Sequence, residues 1–194
     1  YIDAAYRGPS WQRWVFKPVT MLLMLLWAWQ APEITTFSYL ILFGLLASLL
    51  ADILQMVPQD RMLYSIGALF ISRLLYTLYF INPLAPSFYW LPIVILLAIG
   101  AGMVLLLWNR LEDMRWPVVT YLFITLLMVW TATEGYLTQT NDMSFSQLIG
   151  SILLLIASII WLTNRYRSPF RAANAVIAVC YFLGHFMVVR ALHI

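Results

Sequence analysis

Seven stretches of nearly unbroken apolar sequence fill this chain, parted by gaps of about eight residues at most. A bilayer core about 30 Å thick takes around 20 apolar residues in a helix, because in hydrocarbon each backbone N–H and C=O must be paired within its own segment. The stretches fall at 15–31, 37–57, 62–81, 88–108, 117–137, 145–163 and 171–192. The first is short and carries Lys17. All are continuously apolar rather than alternating, which excludes a transmembrane β-barrel. The expected fold class is all-α: a polytopic transmembrane helix bundle of seven spans, forming a single domain over 1–194 with no repeat and no linker.

Composition narrows the function classes. The chain is 63% hydrophobic and 10% charged, whereas a soluble domain carries about 25% charged residues. A water-soluble globule of 194 residues has too little interior for so much apolar surface. Disorder needs the opposite composition. The lone cysteine, Cys180, excludes a disulfide framework or a thiolate cluster. With only His185 and His193, no histidine metal site is expected, and no cofactor motif (Walker, HExxH or CxxC) is present; nor is the nucleophile motif GxSxG. The formal +3 charge bears on topology rather than on nucleic acid.

The gaps carry the ends of the spans. Pro58, Pro83, Pro86 and Pro169 lie there, where a missing N–H costs least. Trp11, Trp14, Trp29, Tyr39, Tyr64, Trp90, Trp108, Trp116 and Trp161 form the aromatic belt expected at headgroup level. Charge alternates from gap to gap: Arg7, Arg13 and Lys17, then none around Glu33, then Arg61, then none at 82–87. Arg110 and Arg115 follow, then none at 138–144, then Arg165, Arg167 and Arg171. The positive-inside rule places the basic loops 1–14, 58–61, 109–116 and 164–170 in the cytoplasm. The chain begins at Tyr1 with a polar stretch, and an absent first helix is expected.

Ionisable residues inside a membrane are costly and mark functional sites by default. Here they are Asp52, Arg73, Glu134 and His185, with Arg190 at a span end. A rise of 1.5 Å per residue puts Asp52 and Ser158 about 8 Å deep, Tyr121 and Asn174 about 5 Å, and Arg73 about 16 Å. His185 and Tyr76 come out at about 21 Å and Glu134 at about 25 Å. Two polar layers are expected. The inner one holds Lys17, Asp52, Ser158, Tyr121 and Asn174, with Arg73 reaching down; the outer one holds Glu134, His185 and Tyr76. Asp52 ends a run of small residues, Gly44, Ala47, Ser48 and Ala51, which lets helices approach and shields the carboxylate from lipid. Its proton affinity is set by burial against any nearby cation. It suits an acid–base residue, or one half of an Asp52–Arg73 pair that fixes packing. Glu134 lies near a span end, where a wetted side chain is the plainer expectation.

At Lys17-Pro18-Val19-Thr20, Ala51-Asp52, Leu74-Leu75-Tyr76, Met128 with Ala132, Gly150 and Tyr181 the sequence resembles the YhhN-like family of integral membrane proteins, which includes the lysoplasmalogenases. The opening Tyr6-Arg7-Gly8-Pro9 through Trp14 resembles its enterobacterial branch. The resemblance implies about eight helices, a bacterial inner membrane, and hydrolysis of the vinyl ether bond of lysoplasmalogens to a fatty aldehyde and a glycerophospho-ethanolamine or -choline. The partners implied are a lysophospholipid substrate within the bilayer and membrane lipids. It implies acid–base catalysis at Asp52 and at the position of Ser158. Lys17, Arg73, Tyr76, Tyr121, Asn174 and Tyr181 would bind substrate, Arg73 by its phosphate. The family carries Gly-Asp and Ser-Asp at the two catalytic positions, and often histidine at position 73. This chain carries Ala51-Asp52, Ala157-Ser158 and Arg73. Two functions follow: an intramembrane ether hydrolase, or a catalytically degenerate lipid-binding or transport protein on the same fold.

Overall fold

The computed structural model describes residues 10–32, 35–56, 61–82, 89–169 and 172–194, with side chains described from residue 17 onward. The motif at 6–9, the side chains of Trp11 and Trp14, and Pro58, Pro83 and Pro86 lie outside these residues, as do Arg7, Arg171 and Glu33. Among the described residues there are seven α-helices and no strand. They are α1 (Ser10–Trp29), α2 (Ser38–Met56), α3 (Met62–Ile81), α4 (Trp90–Leu107), α5 (Arg115–Thr138), α6 (Asp142–Tyr166) and α7 (Ala173–Arg190). Two single 3₁₀ turns, Trp108–Arg110 and Glu112–Met114, reverse the chain between α4 and α5.

Helices α2 to α7 are long and apolar enough to cross a membrane. α1 covers the expected first span from 15 to 29, and its apolar part among the described side chains is Lys17–Trp29. Elsewhere the expected boundaries hold to within about three residues. The earlier start of α6 has a local cause. Asn141 caps the helix by accepting from the Ser144 N–H at 2.7 Å, and the Ser144 hydroxyl returns to the Asn141 backbone. This reciprocal cap starts the helix before its apolar run begins.

The packing order is a ring. α2 packs on α3, α3 on α5, α5 on α6 and α6 on α7; α2 and α7 barely touch, and α1 covers the seam between them. α4 lies outside the ring, chiefly against α5. Arg167 donates to the Leu106 carbonyl at 3.2 Å, and Arg115 to that of Trp108. The basic turns after α4 and α6 therefore share one end of the bundle. Arg190 donates to Ser146 and His193 meets the Trp27 carbonyl at the opposite end. Large apolar side chains such as Leu23, Leu26, Ile95, Leu97, Leu105 and Phe123 are exposed on the outside, as a surface facing lipid requires. Trp29, Tyr64, Trp90 and Trp116 are exposed near helix ends, where the aromatic belt is expected.

Hydroxyls inside the bundle find carbonyl acceptors on their own helix. Thr125, Thr131 and Thr133 donate to Tyr121, Met128 and Val129, so these polar side chains sit in an apolar layer without an unmet proton.

α6 and α7 meet through glycines. A Cβ on Gly150 would come within 2.9 Å of the Gly184 carbonyl, and one on Gly184 within 3.1 Å of the Gly150 carbonyl. The obstacle is backbone, which cannot rotate aside. Gly150→Val is expected to lower unfolding free energy by about 2 kcal/mol. Gly67→Ala, where nothing lies within 4 Å, is expected to change it by at most about 1 kcal/mol. Denaturant titration in detergent checks both; equal losses would contradict the close approach of α6 and α7.

Candidate active site

The site begins with the small-residue run on α2. Gly44, Ser48, Ala51 and Asp52 are all buried. Their size brings α3 close, and the two helices then bond to each other. Ser48 and Ser72 hydroxyls lie 2.6 Å apart, and the Ser65 hydroxyl donates to the Ala51 carbonyl at 3.2 Å. Gly44 makes room for the Tyr76 ring, which any Cβ there would overlap.

Asp52 ends this run with 1% of its surface exposed. The Lys17 ammonium lies 2.6 Å from Oδ1, and the Tyr181 hydroxyl donates to Oδ2 at 3.1 Å. Both oxygens are thus held, from two different helices. The same ammonium lies 5.2 Å above the Tyr181 ring, an arrangement that favours the cation electrostatically. Lys17 comes from α1 and retains 18% exposure of its side chain. Its neighbour Pro18 lies inside the helix and removes one backbone donor there.

From Tyr181 the polar chain continues along α7. The His185 ring packs edge-on to Tyr181, with centroids 4.5 Å apart, and Tyr76 OH lies 3.0 Å from His185 Nδ1. His185 is fully buried, and its Nε2 has no partner among the described residues. Tyr181 and His185 are one helical turn apart and connect what depth counting separates into two layers.

Beside Asp52's partner lies a cleft of about 30 Å³, lined by Gln55, Arg73, Tyr121, Ser158, Trp161 and Tyr181 with apolar neighbours. That is room for one or two waters. Ser158 donates to the Leu154 carbonyl at 2.7 Å, and its oxygen lies 2.6 Å from Tyr121 OH. With its own proton committed to the carbonyl, Ser158 accepts from Tyr121. The hydroxyl is therefore an anchor in the cleft wall, not a free nucleophile.

The structure corrects three expectations. Asp52 pairs with Lys17 rather than Arg73: Lys17–Asp52 is the ion pair among the described residues, and Arg73 lines the cleft instead. Glu134 neither meets His185 nor is wetted. It is 1% exposed, and its Oε1 accepts from the Tyr89 N–H at 2.7 Å and Trp130 Nε1 at 3.1 Å, tying the start of α4 to α5. Asn174 is exposed in the first turn of α7, outside the site. Gln55 was absent from the expected set. It stands three residues beyond Asp52, on the same helix face by spacing alone. Among the described residues, no group of three or more His, Cys, Asp or Glu is placed to hold a metal.

Comparison with known proteins agrees with this architecture. The YhhN family model matches residues 12–192. Relatives from Escherichia coli O6:H1, Escherichia coli O157:H7 and Shigella flexneri, each called "Uncharacterized membrane protein YhhN", are 50% identical over 193 residues, covering 100% of this chain and 93% of theirs. No solved structure matches. Six membrane-length helices and a family match across nearly the whole chain lead to one statement: this chain belongs to the YhhN family of multi-pass membrane proteins.

Proposed function

We propose that this protein is a membrane-embedded hydrolase that cleaves the vinyl ether bond of lysoplasmalogens, with Asp52 as its acid–base residue. The observation that carries the reading is a buried carboxylate held on both oxygens, one of them by Tyr181, which lines a water-sized cleft. General acid–base catalysis needs such a group fixed in place and shielded from bulk water.

The chemistry balances on this one carboxyl. In its protonated form Asp52 gives its proton to the vinyl carbon remote from the ether oxygen. The C=C π pair forms the new C–H bond, and the positive charge moves onto the adjacent carbon and oxygen. The Asp52 carboxylate, now facing that cation, takes a proton from water as the water oxygen bonds to the charged carbon. This regenerates the acid and gives a hemiacetal. The hemiacetal hydroxyl loses its proton, the bond to the glycerol oxygen breaks, and that oxygen is protonated. The products are a fatty aldehyde and a glycerophospho-ethanolamine or -choline. Lys17 and Tyr181 hold the two oxygens of Asp52 in its ionised form. Tyr121 and Ser158 furnish the wall against which water sits. Using Asp52 first as acid and then as base accounts for a hydroxyl at Ser158. On this reading the basic turns face the cytoplasm of a bacterial inner membrane.

The second reading, a lipid-binding or transport protein without turnover, draws on one observation: the Ser158 hydroxyl is fully engaged and supplies no second acid or base.

Purified, detergent-folded protein is expected to release aldehyde from lysoplasmenyl-ethanolamine and none from its saturated ether analogue. Asp52→Asn is expected to lower kcat by about 10² to 10⁴ with an unchanged helical circular dichroism spectrum. Absence of release from folded wild type would favour the non-catalytic reading, and full activity in Asp52→Asn would remove Asp52 from the mechanism. The ion pair has its own test. Lys17→Met strands a buried carboxylate and is expected to cost about 3 kcal/mol of stability. Combining it with Asp52→Leu should recover most of that loss, and a double variant as unstable as Lys17→Met alone would show the pair is not the cause.

A further inference from the structure

A larger hollow lies at the end of the bundle opposite the basic turns, away from Asp52. The residues just after α1 and α7, the end of α3 and the starts of α2 and α6 surround a vestibule of about 480 Å³. That is within the usual size of a small-molecule pocket, about 300–1,000 Å³. Tyr79, three residues beyond Tyr76 on α3, lines it and is 7% exposed. Its hydroxyl bonds no described residue, so a deeply buried side chain brings an unspent polar group to the vestibule wall. Before α2, the Thr35 and Ser38 hydroxyls lie 3.0 Å apart, and each accepts from the other residue's backbone N–H. One of their two protons is spent between them, and the other is left to donate. His193 Nε2 lies 3.1 Å from the Trp27 carbonyl, which only accepts. Nε2 therefore carries a proton, and in the neutral ring Nδ1 is a bare acceptor. Asn82, which closes α3, adds both a donor and an acceptor.

The wall thus offers donors and acceptors together and, among the described lining residues, no charged side chain. An anion brings acceptors only and an ammonium donors only. Either would leave half of this wall unmet and give up hydration without a counter-charge. A hydroxyl both gives and takes a hydrogen bond. Phe37, Met143 and Leu192 make the rest of the wall apolar, which suits the C–H faces of a hydroxylated molecule. We infer that the vestibule is a binding site for an uncharged polyol, either the headgroup of a lipid or a molecule free in solution. Tyr79 and the Thr35–Ser38 pair donate to it, His193 accepts from it, and Asn82 does both. The site shares no residue with the Asp52 centre and does not rest on the hydrolase reading.

The test uses the full chain purified in lauryldimethylamine oxide, a detergent without hydroxyl groups. It is titrated with octyl glucoside, octyl sulfate, octyltrimethylammonium and methyl glucoside. Ligand saturation-transfer NMR and thermal stability are the readouts. Octyl glucoside should give a saturable transfer signal and a rise in Tm, and the two charged octyl compounds neither. Tyr79→Phe keeps the ring and removes the hydroxyl alone. It should leave the Tm without ligand unchanged and raise the half-saturating concentration about fivefold. Asn82→Leu, at an exposed position, should weaken binding by a similar factor, which keeps the proposal open to test should Tyr79→Phe not fold. Asp52→Asn should bind as wild type does. Equal responses to all three octyl compounds would reduce the effect to detergent exchange and overturn the site. So would no saturable response, loss of binding in Asp52→Asn, or titrations of Tyr79→Phe and Asn82→Leu that match wild type. Methyl glucoside distinguishes the source: saturation within tenfold of the octyl glucoside concentration assigns a free polyol, and a wider gap assigns a lipid headgroup. Polyol binding without aldehyde release removes the hydrolase and keeps the site; aldehyde release without polyol binding removes the site alone.

Discussion

A carboxylate cannot stand alone in hydrocarbon, and much of this bundle is arranged around meeting the needs of one. Asp52 requires a cation and a hydrogen-bond donor in a layer where water supplies neither. The donor comes from Tyr181 on α7 and the cation from Lys17 on α1. Because α2 and α7 barely touch, Lys17 reaches Asp52 through the seam between them. The contact makes α1 integral to the packing. The small-residue stripe on α2 completes the arrangement by letting α3 bring Arg73 and Tyr76 to the same region.

Much of the fold was legible in the sequence, because a membrane imposes its own length scale on each crossing helix. The spans could be read directly from apolar run length, and their ends from aromatic and basic residues. The start of α6 escaped that reading since the Asn141–Ser144 cap is a polar device with no hydropathy signal.

The candidate site was legible residue by residue and not pair by pair. Asp52, Ser158, Tyr121, Tyr181, His185 and Tyr76 are all in the interior, yet linear depth does not say which helix neighbours which. Arg73 was the natural partner for Asp52 because both lie on adjacent helices; the shorter contact comes from α1. Glu134 was assigned by depth to His185, whereas its rotation on α5 points it at α4, where it holds the Tyr89 N–H at a helix start and favours the positive end of the helix dipole. Asn174 has the right depth and the wrong face. Rotation about a helix axis is set by tertiary packing, and a depth count carries none of it.

The glycine contact between α6 and α7 has a mechanical consequence. Two helices whose backbones touch at Gly150 and Gly184 move as one body, carrying Ser158, Tyr181 and His185 with them. α1 is fastened to its neighbours by the Lys17 ion pair and, about three turns on, by Trp27 stacking on Phe186 and His193. Displacing α1 from the α2–α7 seam would withdraw the ammonium from Asp52, so opening that seam and unpairing the carboxylate are one movement.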